Sequence, residues 1–270
     1  MITIAAMNIN NPAHARGVKQ ADWLIAKRFD VICLSEVSAS AGSKSLALEL
    51  ARAGYALTGT APTEKGRYSS LVASRVASTV EPLSPKAAQV LGDRVVVIRL
   101  GEVSLRLISV YGVSSDPYAR RVDPDRVDEK RRWLRALVDL VSETEPHTPT
   151  IVVGDLNIVE PATFSHYSRL YQFEHTAYAD LLAAGYTDLV SAVETGRTQF
   201  TWISPQGDGF RYDHLLCNAA ARRYISDPQV IHDVREGPDR LTDHSLLQFG
   251  LSVAESTFGE SHDSEPHTLF

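Results

Sequence analysis

The stretch 150–158 reads TIVVGDLNI. Its opening, TIVV, is an unbroken β-branched run with no polar residue at alternate positions. It therefore reads as a strand buried on both faces. It stops at Gly-Asp-Leu-Asn, residue types that close turns. A carboxylate at the end of a buried strand is costly to desolvate unless something compensates it. The same arrangement recurs: NIN at 8–10, SEV at 35–37, RYD at 211–213 and TDH at 242–244 each follow or open an apolar run. Several such carboxylates together point to one cation-binding centre assembled from distant parts of the chain.

The runs around them give the architecture. ITIAAMNI (2–9), VICLSEV (31–37), SSLVAS (69–74), VVVIRL (95–100) and LRLISVYG (105–112) read as strands, with a hairpin after Gly101. FTW and its neighbours, DHLLCN (213–218) and SLLQFGLSV (245–253) complete the set. Val18, Ala21, Ile25 and Phe29 share one helical face, as do Leu134, Leu137, Val138 and Val141, with Pro146 and Pro149 beyond the second helix. Ser43 is the expected cap of a helix carrying Leu46 and Leu50, with Gly54 just past its end. A further helix ends at DLLAAG, capped by Gly185. Roughly eight or nine strands and three or four helices, with no linker between them, predict packed sheets with outer helices. The expected organisation is one domain over 1–254 and a loose polar tail over 255–270.

Bulk properties exclude several classes. The 270 residues are 44% hydrophobic and 22% charged, an ordinary globular balance. The formal net charge is −6, and Glu255, Glu260, Asp263 and Glu265 in the tail carry four of those charges. Net charge is therefore silent on nucleic acid. Cys33 and Cys217 both fall in apolar runs and read as buried free thiols, not a disulfide framework. MITIAAMNIN has no basic n-region, and no apolar run approaches the ~20 residues of a membrane span. The expected home is the cytosol, without membrane attachment.

The donors in the constellation are Glu36, Asp155, Asp213 and Asp243, the amides of Asn8, Asn10 and Asn157, and His244, with Tyr111 and Arg211 as possible phosphate contacts. Oxygen donors of this kind suit a hard cation such as Mg²⁺ or Mn²⁺ rather than zinc. Such a cation keeps waters and leaves room for a substrate phosphate.

Taken in order, AMNIN, DVICLSE, VYG, GDLNI, FTW, GFRYD and TDH resemble the endonuclease/exonuclease/phosphatase superfamily. Within it they are most similar to exonuclease III-type apurinic/apyrimidinic endonucleases. The resemblance runs from residue 8 to 244. It implies an α/β (α+β) fold, a four-layer αββα sandwich of two mostly antiparallel sheets flanked by helices. It also implies metal-dependent hydrolysis of DNA phosphodiester bonds at abasic sites or 3′ ends. Glu36 would be the principal metal ligand, with Asn8, Asp243 and Asn10 near it. Asp155 would orient or deprotonate the attacking water, Asn157 would hold the phosphate or that water, and Tyr111 would contact the phosphate. His244 would donate to a phosphate oxygen, oriented by Asp213. Trp202, Phe210 and Tyr212 would wall an abasic pocket. The chain departs from the family in writing Ser before Glu36, Tyr212 where Ile or Leu is common, and SSLVAS without a Gly-Val-Ala start.

Each residue has an ordinary alternative. Asp155 and Asn157 could be turn residues, and Tyr111, Trp202 and Phe210 plain packing. Arg211 could sit in a structural ion pair, including one with Asp213. His214 has no motif support and reads as core or surface. The segment 116–135 holds seven basic residues (Arg120, Arg121, Arg126, Lys130, Arg131, Arg132 and Arg135) against five acidic ones. It reads equally as a DNA-backbone contact or a solvated helix face. Only Arg169 and Arg197 are basic between 158 and 199, which keeps open a phosphatase or phosphodiesterase acting on a small-molecule or lipid phosphate ester. The oligomeric expectation is a monomer.

Overall fold

The computed structural model describes residues 1–101, 104–115, 123–161, 171–191, 200–204, 207–236 and 239–252. The expected tail, together with Arg120, Arg121, Arg169 and Arg197, lies outside these residues.

Two six-stranded sheets carry the chain. The first contains β1 (Ile2–Asn8), β2 (Val31–Ser38), β3 (Ala56–Thr58), β4 (Tyr68–Ser74), β13 (Ile225–Ile231) and β14 (Leu246–Leu251) in the order β13-β14-β1-β2-β4-β3. The second contains β5 (Ser78–Val80), β6 (Val95–Leu100), β7 (Leu105–Tyr111), β8 (Thr150–Asp155), β9 (Tyr186–Asp188) and β12 (Asp213–Asn218) in the order β5-β6-β7-β8-β12-β9. A small ribbon pairs β10 (Trp202–Ile203) with β11 (Gly209–Phe210). Each large sheet has one parallel pair: β1–β2, joined through α1 (His14–Lys27), and β7–β8, joined through α4 (Pro124–Ser142). All other neighbours are antiparallel.

The alternation of side chains across these strands explains the layers. Ile4, Ala6, Val31, Cys33, Leu107, Ile151, Val153 and Leu247 face the space between the sheets. Ala5, Met7, Ile32 and Leu34 face away, onto Ala21, Leu24, Leu46 and Leu50 of α1 and α2 (Ala41–Arg52). On the other flank Ile108, Val110 and Val152 meet Leu91 of α3 (Pro85–Leu91), Trp133, Leu134 and Leu137 of α4, and Tyr178 and Leu181 of α5 (Gln172–Ala183). The layers are helices, sheet, sheet, helices, as the sequence predicts. Both cysteines are buried and free. Burial of a side chain such as Ile151 is worth about 1.5–3 kcal/mol, so apolar area carries this architecture.

Two differences from the sequence reading concern a helix cap and an edge strand. Ser40, not Ser43, caps α2: its hydroxyl accepts the Ser43 amide at 3.0 Å. Ser43 is buried because α1 and α2 touch there; a Cβ on Gly17 would lie 2.2 Å from the Gly42 carbonyl oxygen. The strand ISDPQVI escapes a propensity reading because of Pro228. It survives because β13 is an edge strand, with its register to β14 shifted between Ser226 and Gln229. No helix among the described residues is long and apolar enough to cross a membrane.

Candidate active site

The two parallel pairs deliver their carboxyl ends to one edge of the sandwich, where α/β proteins gather polar groups. In the second sheet Tyr111, Asp155 and Asp213 stand side by side at one register level. In the first, Asn8 pairs with Ser35, the residue before Glu36. The register of β2 against β4 slips between Leu34 and Val37, and Glu36 sits in that slip with φ +59°. Such a bulge re-aims one side chain out of the pleat. A second irregularity surrounds Asp155. Gly154 has φ +132°, and a Cβ there would lie 2.3 Å from the Val110 carbonyl oxygen. Asn157 follows at φ +53°. Non-glycine residues held in that region cost about 1–3 kcal/mol unless their surroundings enforce it.

Hydrogen bonds tie these ends together. Asn8 Nδ2 donates to Asp155 Oδ2 at 2.8 Å, a buried bond from one sheet to the other. Asn8 Oδ1 accepts the Asn10 amide at 2.8 Å, and the Asn8 side chain favours the ionised form of Glu36. The Asn157 backbone amide donates to Asp155 Oδ1 at 2.8 Å, and its side-chain amide to Asp155 Oδ2 and the Gly112 carbonyl, each at 3.1 Å. His244 Nδ1 donates to Asp213 Oδ2 at 2.7 Å. Trp202 Nε1 donates to Asp243 Oδ2 at 3.0 Å.

The electrostatics follow from burial and like charge. Burial, then the charge of Asp213 directly opposite, raise the Asp155 carboxyl to about 7. Burial pulls the His244 imidazole down. Asp213, bonded to it, and the carboxylates of Asp155 and Asp243 outweigh that and raise it to about 10. Burial raises the Glu36 carboxyl, opposed by His244 and Asn8. Burial, then Glu36 and Asp155, push the Tyr111 hydroxyl up, so it stays a donor. The site thus holds a carboxylate poised near neutrality beside a buried imidazolium.

Four carboxylates against one imidazolium leave excess negative charge that a divalent cation would relieve. Among the described residues, no three His, Cys, Asp or Glu side chains form a ready cage. The arrangement fits a hard cation held mainly by one carboxylate, Glu36, with the Asn8 amide beside it and waters completing the shell. Asn8 Oδ1 keeps one lone pair beyond its bond to Asn10.

Other expected residues stand at the margin. Asn10 adjoins through its backbone, its carbonyl accepting from Arg16. Trp202, Phe210 and Tyr212 form one ring cluster, with Phe210 and Tyr212 stacked at 5.4 Å and Trp202 tilted against both. Arg211 is buried and ion-paired with Glu160, while Asp213 is spoken for by His244. The structure adds supporting residues the motifs did not single out. Thr201 Oγ1 accepts the amides of Tyr212 (3.0 Å) and Asp213 (3.1 Å). Thr242 Oγ1 donates to the Asn8 carbonyl at 2.6 Å. Both threonines lie within FTW and TDH, the one signal that pointed at them. His214, buried, bonds Asp188 at 2.7 Å through Nδ1 and donates to the Ile158 carbonyl at 2.9 Å through Nε2. Lys130 is not on a solvated face: its side chain is 4% exposed and ion-paired with Glu174.

Comparison with solved structures finds the same architecture. A 3′ phosphatase, NExo, from Neisseria bound to product DNA hairpin superposes with a TM-score of 0.74 at 21% identity, covering 93% of this chain and all of that one. An AP endonuclease from Archaeoglobus fulgidus gives 0.74 at 19%, covering 94% of this chain and all of that one. At these identities the likeness is one of fold. An exodeoxyribonuclease of Bacillus subtilis (strain 168) is 24% identical over 152 residues, which span 51% of this chain and 58% of that relative. The sequence pattern of the Endonuclease/Exonuclease/phosphatase family matches residues 5–244, from β1 through His244, and the chain belongs to that family.

Proposed function

We propose that this chain is a Mg²⁺- or Mn²⁺-dependent phosphodiesterase that cuts DNA on the 5′ side of abasic sites and trims 3′ ends. The observation that carries this reading is the buried Asp155, raised to about 7, within one hydrogen-bonded set with Asn8 and Asn157 and in the field of the His244–Asp213 pair. A carboxylate so poised can take a proton from water near neutral pH. Asn157 orients that water or the phosphate. His244, kept cationic by Asp213, offers its other ring nitrogen to a phosphate oxygen as negative charge builds there. Tyr111 donates to the same group. A cation held by Glu36, with Asn8, Asp243 and Asn10 around it, would add positive charge to the phosphate. Trp202, Phe210 and Tyr212 offer an aromatic surface suited to a sugar that has lost its base. The named relatives, a 3′ phosphatase bound to DNA, an AP endonuclease and an exodeoxyribonuclease, support DNA as the substrate. We read the catalytic unit as one domain over 1–254, acting as a cytosolic monomer.

The test is a duplex carrying one tetrahydrofuran abasic analogue, incubated with Mg²⁺ and, separately, with EDTA. Cleavage 5′ to the analogue, lost with EDTA, is expected; an intact duplex under both conditions refutes the reading. The scarcity of basic residues between 158 and 199 favours one alternative, a small phosphate ester as substrate. Salt separates the two: cleavage of DNA should weaken steeply with added salt because counterions are released on binding, and turnover of a small ester should not.

A further inference from the structure

Lys130 lies on the inner face of α4, and its three ammonium protons all have partners. One meets Glu174 of α5, one the Asn157 carbonyl at 2.7 Å, and one the Ser115 hydroxyl at 3.3 Å. Glu174 is itself held, accepting the Tyr171 amide at 3.2 Å as part of the cap of α5. Lys130 and Glu174 are 4% and 2% exposed. A buried ion pair of this kind is a poor device for stability, since a well-packed apolar pair often does as well. It is a good device for fixing geometry, and what it grips is the one carbonyl that matters here. Asn157 has φ +53°; its N–H and side-chain amide point to Asp155, and its carbonyl points the other way, to Lys130. Rotating the peptide that follows Asn157 toward a relaxed conformation would pull the residue off the Asp155 carboxylate.

We infer that Lys130, anchored by Glu174, is a positioning residue that holds Asn157 in its left-handed conformation and thereby keeps both amides of Asn157 on the Asp155 carboxylate. It acts through Asn157 and does not touch substrate. This rests on the reading of Asp155 as the group that handles the attacking water.

The test is the paired variant Lys130→Met/Glu174→Gln, which removes both charges and keeps an acceptor for the Tyr171 amide. Hydrogen exchange at the Asn157 amide is the first readout, with the amides of Val152 and Val153 as internal references. Exchange at Asn157 is expected to accelerate about tenfold or more while the β8 references stay unchanged. Steady-state cleavage of the abasic duplex is the second. We expect kcat to fall about 10- to 100-fold with KM within about threefold and the Mg²⁺ requirement unaltered, because misplacement of a catalytic group is felt in turnover. Unchanged exchange and unchanged kcat overturn the inference. If the wild-type protein cleaves no phosphate ester, the functional reading has failed while the exchange measurement still judges the positioning. Should that variant not fold, Lys130→Gln/Glu174→Gln keeps a polar group at both positions with no unpaired buried charge. A smaller acceleration at Asn157 is expected there, and none counts against the inference.

Discussion

The two parallel crossovers, β1–α1–β2 and β7–α4–β8, solve the same local problem with different chemistry. Each must support an irregular turn at the end of its strand from the helix that packs beneath it. On the first, the fully buried Gln20 of α1 donates from Nε2 to the Ile9 carbonyl at 3.0 Å and the Leu241 carbonyl at 2.7 Å. On the second, Lys130 of α4 donates to the Asn157 carbonyl, neutralised by Glu174. The first crossover is not without charge: Arg16 of α1 donates to the Asn10 carbonyl and favours the ionised form of Glu36, but its fully buried support is the neutral amide. A cationic support suits the side that carries Asp155, where two carboxylates already crowd one register level. Under the proposed function the first crossover would serve the cation and the second the proton.

The largest effect should come from breaking the proton side directly. Asp155→Asn is expected to lower kcat by two or more orders of magnitude, about 2.7 kcal/mol or more of transition-state stabilisation; on stability, relief of repulsion with Asp213 opposes the loss of an acceptor for the amides of Asn8 and Asn157. Near-normal turnover would erase the distinction between the crossovers. Glu36→Gln tests the cation side. The Mg²⁺ concentration for half-maximal activity should rise about tenfold or more, whereas Asp155→Asn should leave that concentration nearly unchanged; metal titrations of the two variants decide it. Gln20→Leu should destabilise the fold by about 1–3 kcal/mol, because two buried carbonyls lose their donor. Denaturant melts would show it, and a stability equal to wild type would mean that the turn after β1 needs no support.

The smallest effect concerns acid. The Asp188 carboxyl is buried, which alone would raise it, but His214 and Arg211 hold it below the usual range. A group lowered on folding contributes stability above its unfolded value, near 3.9, and loses it as pH falls through the folded value. The protein should therefore lose stability below about pH 4, and Asp188→Asn should flatten that part of the curve. An unchanged acid limb would remove Asp188 from the account of how the Ile158 carbonyl is held through His214.

Much of the candidate site was legible because its polar groups sit in short interruptions of apolar runs: Asn8 after ITIAAM, Glu36 in VICLSEV, Asp155 after TIVVG. The fold was legible for the same reason, as alternating or continuous apolar runs announce strands whatever they pack against. Lys130 was not legible. In sequence it stands among Asp128, Glu129, Arg131 and Arg132 and looks like one more charge on a wet helix; only the closeness of α5 turns that position inward. Ser40 and Ser43 exchanged roles because the approach of α1 to α2 at Gly17 and Gly42 buries Ser43. Arg211, one residue from Tyr212 and two from Asp213, was open to a phosphate or an ion pair, and the position of Glu160 chose the pair.

By itself the sequence determined the four central strands of each large sheet and the identity of the polar groups at their ends, because these depend on local periodicity and side-chain chemistry; the edge strands β3, β5, β9 and β13 escaped it. Only the tertiary structure decided which carboxylate faces which donor. Asp155 is raised toward neutrality because the fold buries it and β12 sets Asp213 opposite it, and His244 is held cationic by Asp213 and Asp155, both distant in sequence, together with its neighbour Asp243. Charge interactions act through space at a few ångströms, and spacing along the chain carries no record of those distances.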